Sequence, residues 1–174
     1  MNLRLVGVGL GVLASALLGG ACGDAPTATA EATAARDIEQ LPPDLLPSEI
    51  LGLQVQREDM AEALEGAQLS YVDEVGLYSL RREELLQATV QVSRFNENAD
   101  AESAEFRRTL LSQVGGSVPK QLVVGDETLY LTTGTKQTIA VFFRDRTMVV
   151  LAIRDDYDQP RALTREALAL EVEA

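Results

Sequence analysis

The chain has 174 residues, a formal net charge of −12 and no histidine, and Cys22 is its single cysteine. The acidic balance opposes the clustered Lys and Arg contacts by which proteins bind phosphate backbones, so nucleic-acid binding is excluded. Without histidine the chain lacks the usual general base near neutral pH and the commonest metal ligand. The absence of histidine therefore excludes Ser-His-Asp and Cys-His nucleophilic sites and conventional zinc sites. The single cysteine excludes an internal disulfide.

The first 21 residues have the three parts of an export signal. Arg4 supplies the positive charge, residues 5–18 are uncharged and mostly aliphatic or small, and residues 19–21 are two glycines and an alanine. The apolar segment lies at the short limit for crossing a hydrocarbon core of about 30 Å. We therefore expect residues 1–21 to be a cleaved signal peptide; an uncleaved membrane anchor is the alternative.

The residues around Cys22 resemble the lipobox of bacterial lipoproteins. Gly20, Ala21 and Cys22 match its small-small-Cys pattern, whereas Gly19 stands where leucine is usual. The resemblance implies acylation of Cys22 with palmitate-type chains and a lipid-anchored protein on the extracytoplasmic face of the cell membrane. Gly19 and Ala21 also satisfy the small-x-small pattern of ordinary signal-peptide cleavage, so export without a lipid stays an alternative.

A tether and one domain are predicted after the cysteine. Residues 23–40 are rich in Ala, Thr, Asp and Glu and have no hydrophobic periodicity, which is typical of a disordered segment. We expect residues 22–44 to be the lipidated cysteine and a flexible tether. Residues 45–174 are long enough to bury one hydrophobic core and are expected to be a single domain.

The first half of the domain is predicted to begin with a short helix over 57–67 and a strand over 69–80 that breaks near Gly76. From Leu86 to Ser93 apolar and polar residues alternate strictly, which is typical of a half-buried antiparallel strand. The polar face of this strand, called the polar stripe below, consists of Gln87, Thr89, Gln91 and Ser93.

The second half is predicted to contain a helix, a β-meander and a final helix. Asp100 is a good N-cap for a helix that Gly115-Gly116 ends. Asp158 and Pro160 are expected to open the last helix, which is amphipathic. The four strands of the meander are expected at Leu122–Val124, Thr128–Thr132, Thr138–Arg144 and Thr147–Arg154.

This order of elements predicts the α+β class, with an antiparallel sheet on which helices pack. The strand pattern from Val123 to Leu170 resembles the sheet of small envelope lipoproteins with a PsbP/Mog1-like domain. That resemblance implies a domain of this fold and no particular activity.

Two sets of polar residues are candidate binding sites. Asp155, Asp156 and Asp158 form an oxygen-rich loop of the kind that can bind Ca²⁺, and a solvated turn without metal is the alternative. The polar stripe, if uncovered, offers a hydrogen-bonding sheet face to a protein partner or a glycan. A wet face, or one covered by helices, is the alternative for the stripe.

The sequence favours a membrane-anchored envelope lipoprotein that binds an envelope protein and performs no covalent chemistry. We expect no enzymatic activity and no cofactor, because no nucleophile-base set or convergent carboxylate pair can be recognised. The alternative is a carrier of a small apolar ligand or lipid between sheet and helix. An enclosed apolar cavity would favour the carrier, and an exposed groove beside a filled core would favour the interaction module.

Overall fold

The computed structural model describes residues 37–64, 71–114 and 118–170. The predicted signal peptide, Cys22, residues 23–36 and the Gly115-Gly116 helix end lie outside the described residues. The described chain contains β1 (Glu39–Gln40), β2 (Glu49–Ile50), β3 (Leu53–Glu58), α1 (Ala61–Leu64), β4 (Val72–Arg82), β5 (Leu85–Phe95), α2 (Ala104–Val114), β6 (Lys120–Val124), β7 (Glu127–Gly134), β8 (Gln137–Arg144), β9 (Thr147–Arg154) and α3 (Pro160–Leu168).

The strands form one sheet in the order β2-β3-β4-β5-β9-β8-β7-β6, and β1 pairs in parallel with β4. All other pairings are antiparallel, which confirms the predicted antiparallel sheet. Strands β6 to β9 follow one another as the predicted meander. With nine strands and three helices in the described chain, the fold is dominated by its sheet more than the α+β prediction implied.

The alternation of side chains along the strands produces two apolar clusters, one on each face of the sheet. One face, called face A below, is covered by α3 and by the segment 41–50. The opposite face, called face B below, is covered by α2 and by residues around Ala99 and Ala101. Strand β9 places Val149 and Leu151 on face A and Met148 and Val150 on face B, so it is buried on both sides as its continuous apolar sequence indicates.

Strand β4 runs through Gly76 without the predicted break. The ring of Tyr78 folds back over this glycine, and a Cβ at position 76 would lie 2.8 Å from Tyr78 Cε2. The Tyr78 hydroxyl donates a hydrogen bond of 2.7 Å to the carbonyl of Pro42, and Leu41 is fully buried. The packed part of the chain therefore includes residues that the sequence assigned to the tether.

The predicted helix over 57–67 is wrong at its start, because Arg57 and Glu58 belong to β3, a strand that the sequence did not predict. In the described chain this helix is the single turn α1. Residues 65–67 lie outside the described residues.

Both predicted helix caps are wrong. At α2, Ser103 and not Asp100 supplies the side-chain oxygen: its Oγ accepts from the backbone N–H of Phe106 at 3.4 Å. At α3, Gln159 and not Asp158 occupies the N-cap position, and it makes no side-chain capping bond. Pro160 does begin the helix, as its lack of an N–H favours.

Candidate functional site

The three aspartates of the predicted calcium loop, Asp155, Asp156 and Asp158, each have a different partner. Asp156 accepts two hydrogen bonds from the Arg154 guanidinium, from Nε at 2.8 Å and from Nη2 at 2.6 Å. These bonds hold the pKa of the Asp156 carboxyl below its ordinary value. Its oxygens are thus engaged with a cation within the same turn.

The other two carboxylates of this turn point to other elements. Asp155 Oδ1 accepts from the Thr138 hydroxyl at 3.4 Å, and Asp158 Oδ1 lies 3.5 Å from Arg82 Nη2. The Arg82 guanidinium also lies over the ring of Tyr157, 5.6 Å from its centroid. Across the described ranges, no three acidic or thiol side chains are grouped so that they could hold a metal ion. All three carboxylates of this turn are exposed, and each lies against a guanidinium or a hydroxyl group.

The polar stripe lies on face B of β5, and the structure covers one end of it. Gln91 and Ser93 are 1% and 0% exposed, and Gln91 Nε2 donates to Ser93 Oγ at 3.1 Å. The amide oxygen of Gln91 is buried and has no hydrogen-bond partner in the described chain. Gln87 and Thr89 are half-buried. An uncovered polar face, as the binding hypothesis requires, therefore exists only in part.

Strand β6 forms one end of the sheet, and no other described strand pairs with its outer edge. All five of its residues are exposed, with Leu122, Val123 and Val124 at 48%, 66% and 39%. Proteins usually protect an edge of this kind with charges, proline or a bulge. Lys120 is the charge in this strand, so its apolar half is open to pairing with a further strand.

The pairing of β6 with β7 assigns its side chains to the two faces. Leu122 lies opposite Leu129, which belongs to the face A cluster. Gln121 lies opposite Tyr130, which packs against the face B cluster. Even-numbered residues of β6 therefore lie on face A and odd-numbered residues on face B.

An open cleft of about 760 Å³ borders β6 on face B. One wall is α2, from which the exposed Arg108, the half-buried Arg107 and the buried Leu111 line the cleft. Gln121 and Tyr130, from β6 and β7, line it on the side of the sheet. The cleft thus lies between a helix and the strand with the free edge.

Neutral groups hold Arg107 in place at this cleft. Its Nε donates to the carbonyl of Ala101 at 2.7 Å, and its guanidinium carbon lies 5.1 Å from the centroid of the Phe143 ring. Phe143 in turn packs edge-on against Tyr130, with ring centroids 6.2 Å apart. No described carboxylate forms an ion pair with Arg107 or with its exposed neighbour Arg108. Within the part of the chain that the structure describes, two guanidinium charges beside the edge therefore have no ion-pair partner.

The edge and the cleft were not predicted from the sequence. The available signal was the run Leu122-Val123-Val124 in the first strand of the meander. A strand that begins a meander has one neighbour in that motif, and its other edge is covered only if another element reaches it.

Comparisons with protein families, curated proteins and solved structures find no match for this chain. The resemblances to bacterial lipoproteins and to PsbP/Mog1-like domains therefore stay predictions from the sequence. None of the helices in the described ranges is long and apolar enough to span a membrane.

Proposed function

We propose that this chain is a cell-envelope lipoprotein, anchored through an acylated Cys22, whose domain is a non-catalytic protein-interaction module. The observation that carries the proposal is the exposed edge of β6 beside the cleft. An open strand edge offers backbone donors and acceptors in a row, and a neighbouring groove takes up alternate side chains of the added strand. The domain is further proposed to be an α+β, PsbP/Mog1-like one.

The anchoring part of the proposal is supported by the pattern of residues 1–22. Removal of residues 1–21 takes away Arg4 and no acid, so that 14 basic and 27 acidic residues remain and the net charge becomes −13. This charge opposes attachment to anionic lipid through the protein surface. Attachment would then depend on acyl chains, to which each buried CH₂ contributes about 0.8 kcal/mol.

The geometry favours the interaction module over the carrier. On both faces of the sheet, apolar side chains pack against helices and connecting segments. The cleft at β6 is open and combines two guanidinium groups with Leu111 and Tyr130. A polypeptide matches this mixture of charged and apolar groups better than a small apolar ligand does.

Native mass spectrometry of the full chain extracted from the membranes of its own host tests the proposal. We expect the wild type to carry a protein partner, and the variant Val123→Glu to lose it, because a charged side chain in an edge strand blocks strand addition. Leu85→Glu is the matched control, since Leu85 is 67% exposed at the start of β5 and lies outside β6.

Two outcomes of that experiment would overturn the interaction module. A chain that carries only lipid, with equal occupancy in all three proteins, would support the carrier. If wild type and both variants carry neither a bound protein nor a bound lipid beyond their own acyl groups, neither binding function is supported.

A further inference from the structure

We infer that the β6 edge and the cleft bind an extended acidic polypeptide segment, in which apolar residues alternate with Asp or Glu. The segment adds to the sheet beside β6 and directs its carboxylates towards Arg107 and Arg108. This inference rests on the proposed function and specifies the chemistry of the partner.

The two faces of β6 favour a segment with alternating character. A strand added to this edge places successive side chains on opposite faces. On face A its side chains would lie beside Leu122 and Val124, which are apolar and exposed. On face B they would lie beside Gln121 and Val123 and point to the side of the cleft, where Arg107 and Arg108 form the wall.

The guanidinium groups favour a carboxylate on face B. Arginine pairs with carboxylates through two parallel N–H···O bonds, which are stronger than bonds between neutral groups. Arg107 is already ordered by the Ala101 carbonyl and the Phe143 ring. Less side-chain entropy is therefore lost when a carboxylate binds to it than when a free surface arginine is fixed.

The charge of the cleft differs in sign from that of the whole chain. Glu102 is the acid among its lining residues, against Arg107 and Arg108. At physiological ionic strength the Debye length is about 8 Å, so these nearby groups outweigh the remaining acidic surface for a bound segment. The cleft therefore selects for acidic side chains even though the chain has a net charge of −12.

A second copy of the chain matches this surface less well. The β6 strand of another copy has the sequence Lys-Gln-Leu-Val-Val and contains no acid. The five residues of that strand would bring no carboxylate to the guanidinium groups of Arg107 and Arg108; the nearest acids, Asp126 and Glu127, lie beyond its end, and Glu127 is already paired with Arg144. The unmatched charges therefore favour a different polypeptide over self-association.

Fluorescence anisotropy with the detergent-solubilised full chain and three labelled heptapeptides tests this inference. The peptides are Val-Asp-Val-Asp-Val-Asp-Val, the same sequence with Lys for Asp, and the acidic peptide with N-methyl groups at alternate residues. We expect the acidic peptide to bind and the other two to bind at least about ten-fold more weakly. The lysine peptide meets like charge, and the methylated peptide lacks the donors of one edge.

A charge reversal on the cleft wall separates this site from the rest of the surface. Arg108→Glu should weaken binding of the acidic peptide about ten-fold and strengthen binding of the lysine peptide. The matched control is Arg161→Glu on α3, an exposed arginine on the element that covers face A. The control should leave both affinities within about two-fold of the wild type.

The results that would overturn the inference are specific. Equal binding of all three peptides, or no effect of Arg108→Glu, would remove the acidic strand as the occupant. A dimer in detergent that Val123→Glu dissociates would identify a second copy instead. The peptide experiment requires no cellular partner. If it fails while native mass spectrometry still shows a partner that depends on β6, the acidic segment is rejected and the proposed function stands.

Discussion

Tyr78 connects strand β4 to the segment between β1 and β2. Its ring lies over Gly76, where a Cβ would come within 2.8 Å of the ring, and its hydroxyl donates to the Pro42 carbonyl at 2.7 Å. Burial raises the pKa of Tyr78 to about 12 from an ordinary value of 10.0. This residue therefore couples the alkaline stability of the protein to one defined contact.

Replacement of Tyr78 by Phe should lower the free energy of unfolding by about 1 kcal/mol near neutral pH, because the Pro42 carbonyl loses its donor. In the wild type, the folded state keeps the phenolic proton above the pH at which the unfolded chain releases it. Tyr78 therefore stabilises the fold fully below about pH 10, and this contribution is lost as the pH rises towards 12, at about 1.4 kcal/mol per pH unit.

Urea unfolding of wild type and Tyr78→Phe at about pH 8 and pH 11 measures both effects. The variant should be less stable at the lower pH, and the difference should disappear at the higher pH. The pKa values of Tyr71 and Tyr157 are also raised by burial, but both residues are present in both proteins and cancel in the comparison. A difference that stays constant with pH would contradict the role assigned to Tyr78.

At the level of elements, residue periodicity predicted strands well where one face is apolar and the turns are short. Strand β9 occupies the predicted Thr147–Arg154, and β5 contains the predicted Leu86–Ser93 with its faces as assigned. Strand β3 was missed although Leu53-Gln54-Val55-Gln56 alternates, because four residues between prolines and a predicted helix give a weak signal.

The candidate sites were less predictable because they depend on tertiary packing. Whether Gln91 and Ser93 face water depends on elements distant in sequence, such as α2, covering face B. The same applies to the unmatched charge of Arg107, since Ala101, Phe143 and the free edge of β6 come together only in the folded sheet. No local pattern encodes such a combination.

Arg144 links the C-terminal end of helix α3 to the sheet through hydrogen bonds. Its Nε donates to Glu127 Oε1 at 2.7 Å, and its Nη atoms donate to the carbonyls of Leu168 and Leu170. A cation at this position satisfies carbonyls that have no partner within the helix and interacts favourably with the helix dipole.

The variant Arg144→Met should therefore destabilise the protein by about 2 kcal/mol, since it leaves Glu127 and two carbonyls without their donor. In this variant the rate of hydrogen exchange should increase more at residues 167–170 than elsewhere, and urea unfolding should measure the loss of stability. Arg165→Met, a change at an exposed residue of the same helix, serves as the control and should cost less than about 0.5 kcal/mol. Equal effects of the two variants would show that Arg144 does not fasten the helix.

For the whole molecule, the proposed anchor and the proposed binding surface are separate in sequence. Residues 23–38 lie between Cys22 and strand β1, whereas the β6 edge lies in the second half of the chain. A flexible tether, as the composition of this segment predicts, would have a root-mean-square reach of about 20–25 Å and would hold the domain near the membrane while leaving it free to turn the edge towards a partner.

Mutation of Cys22 to Ala tests the anchor without touching the domain. Without residues 1–21 the chain would have a net charge of −13, which opposes binding to anionic lipid, so loss of the proposed acyl chains should move the protein from the membrane fraction to the soluble fraction. The variant Val123→Glu, which changes only the β6 edge, is the control and should remain in the membrane fraction. Mass spectrometry of the wild-type N-terminal peptide should show the acyl groups on Cys22. If Cys22→Ala stays in the membrane fraction, the apolar segment of residues 5–18 is itself the anchor, and the lipoprotein proposal is wrong while the β6 surface still awaits its own test.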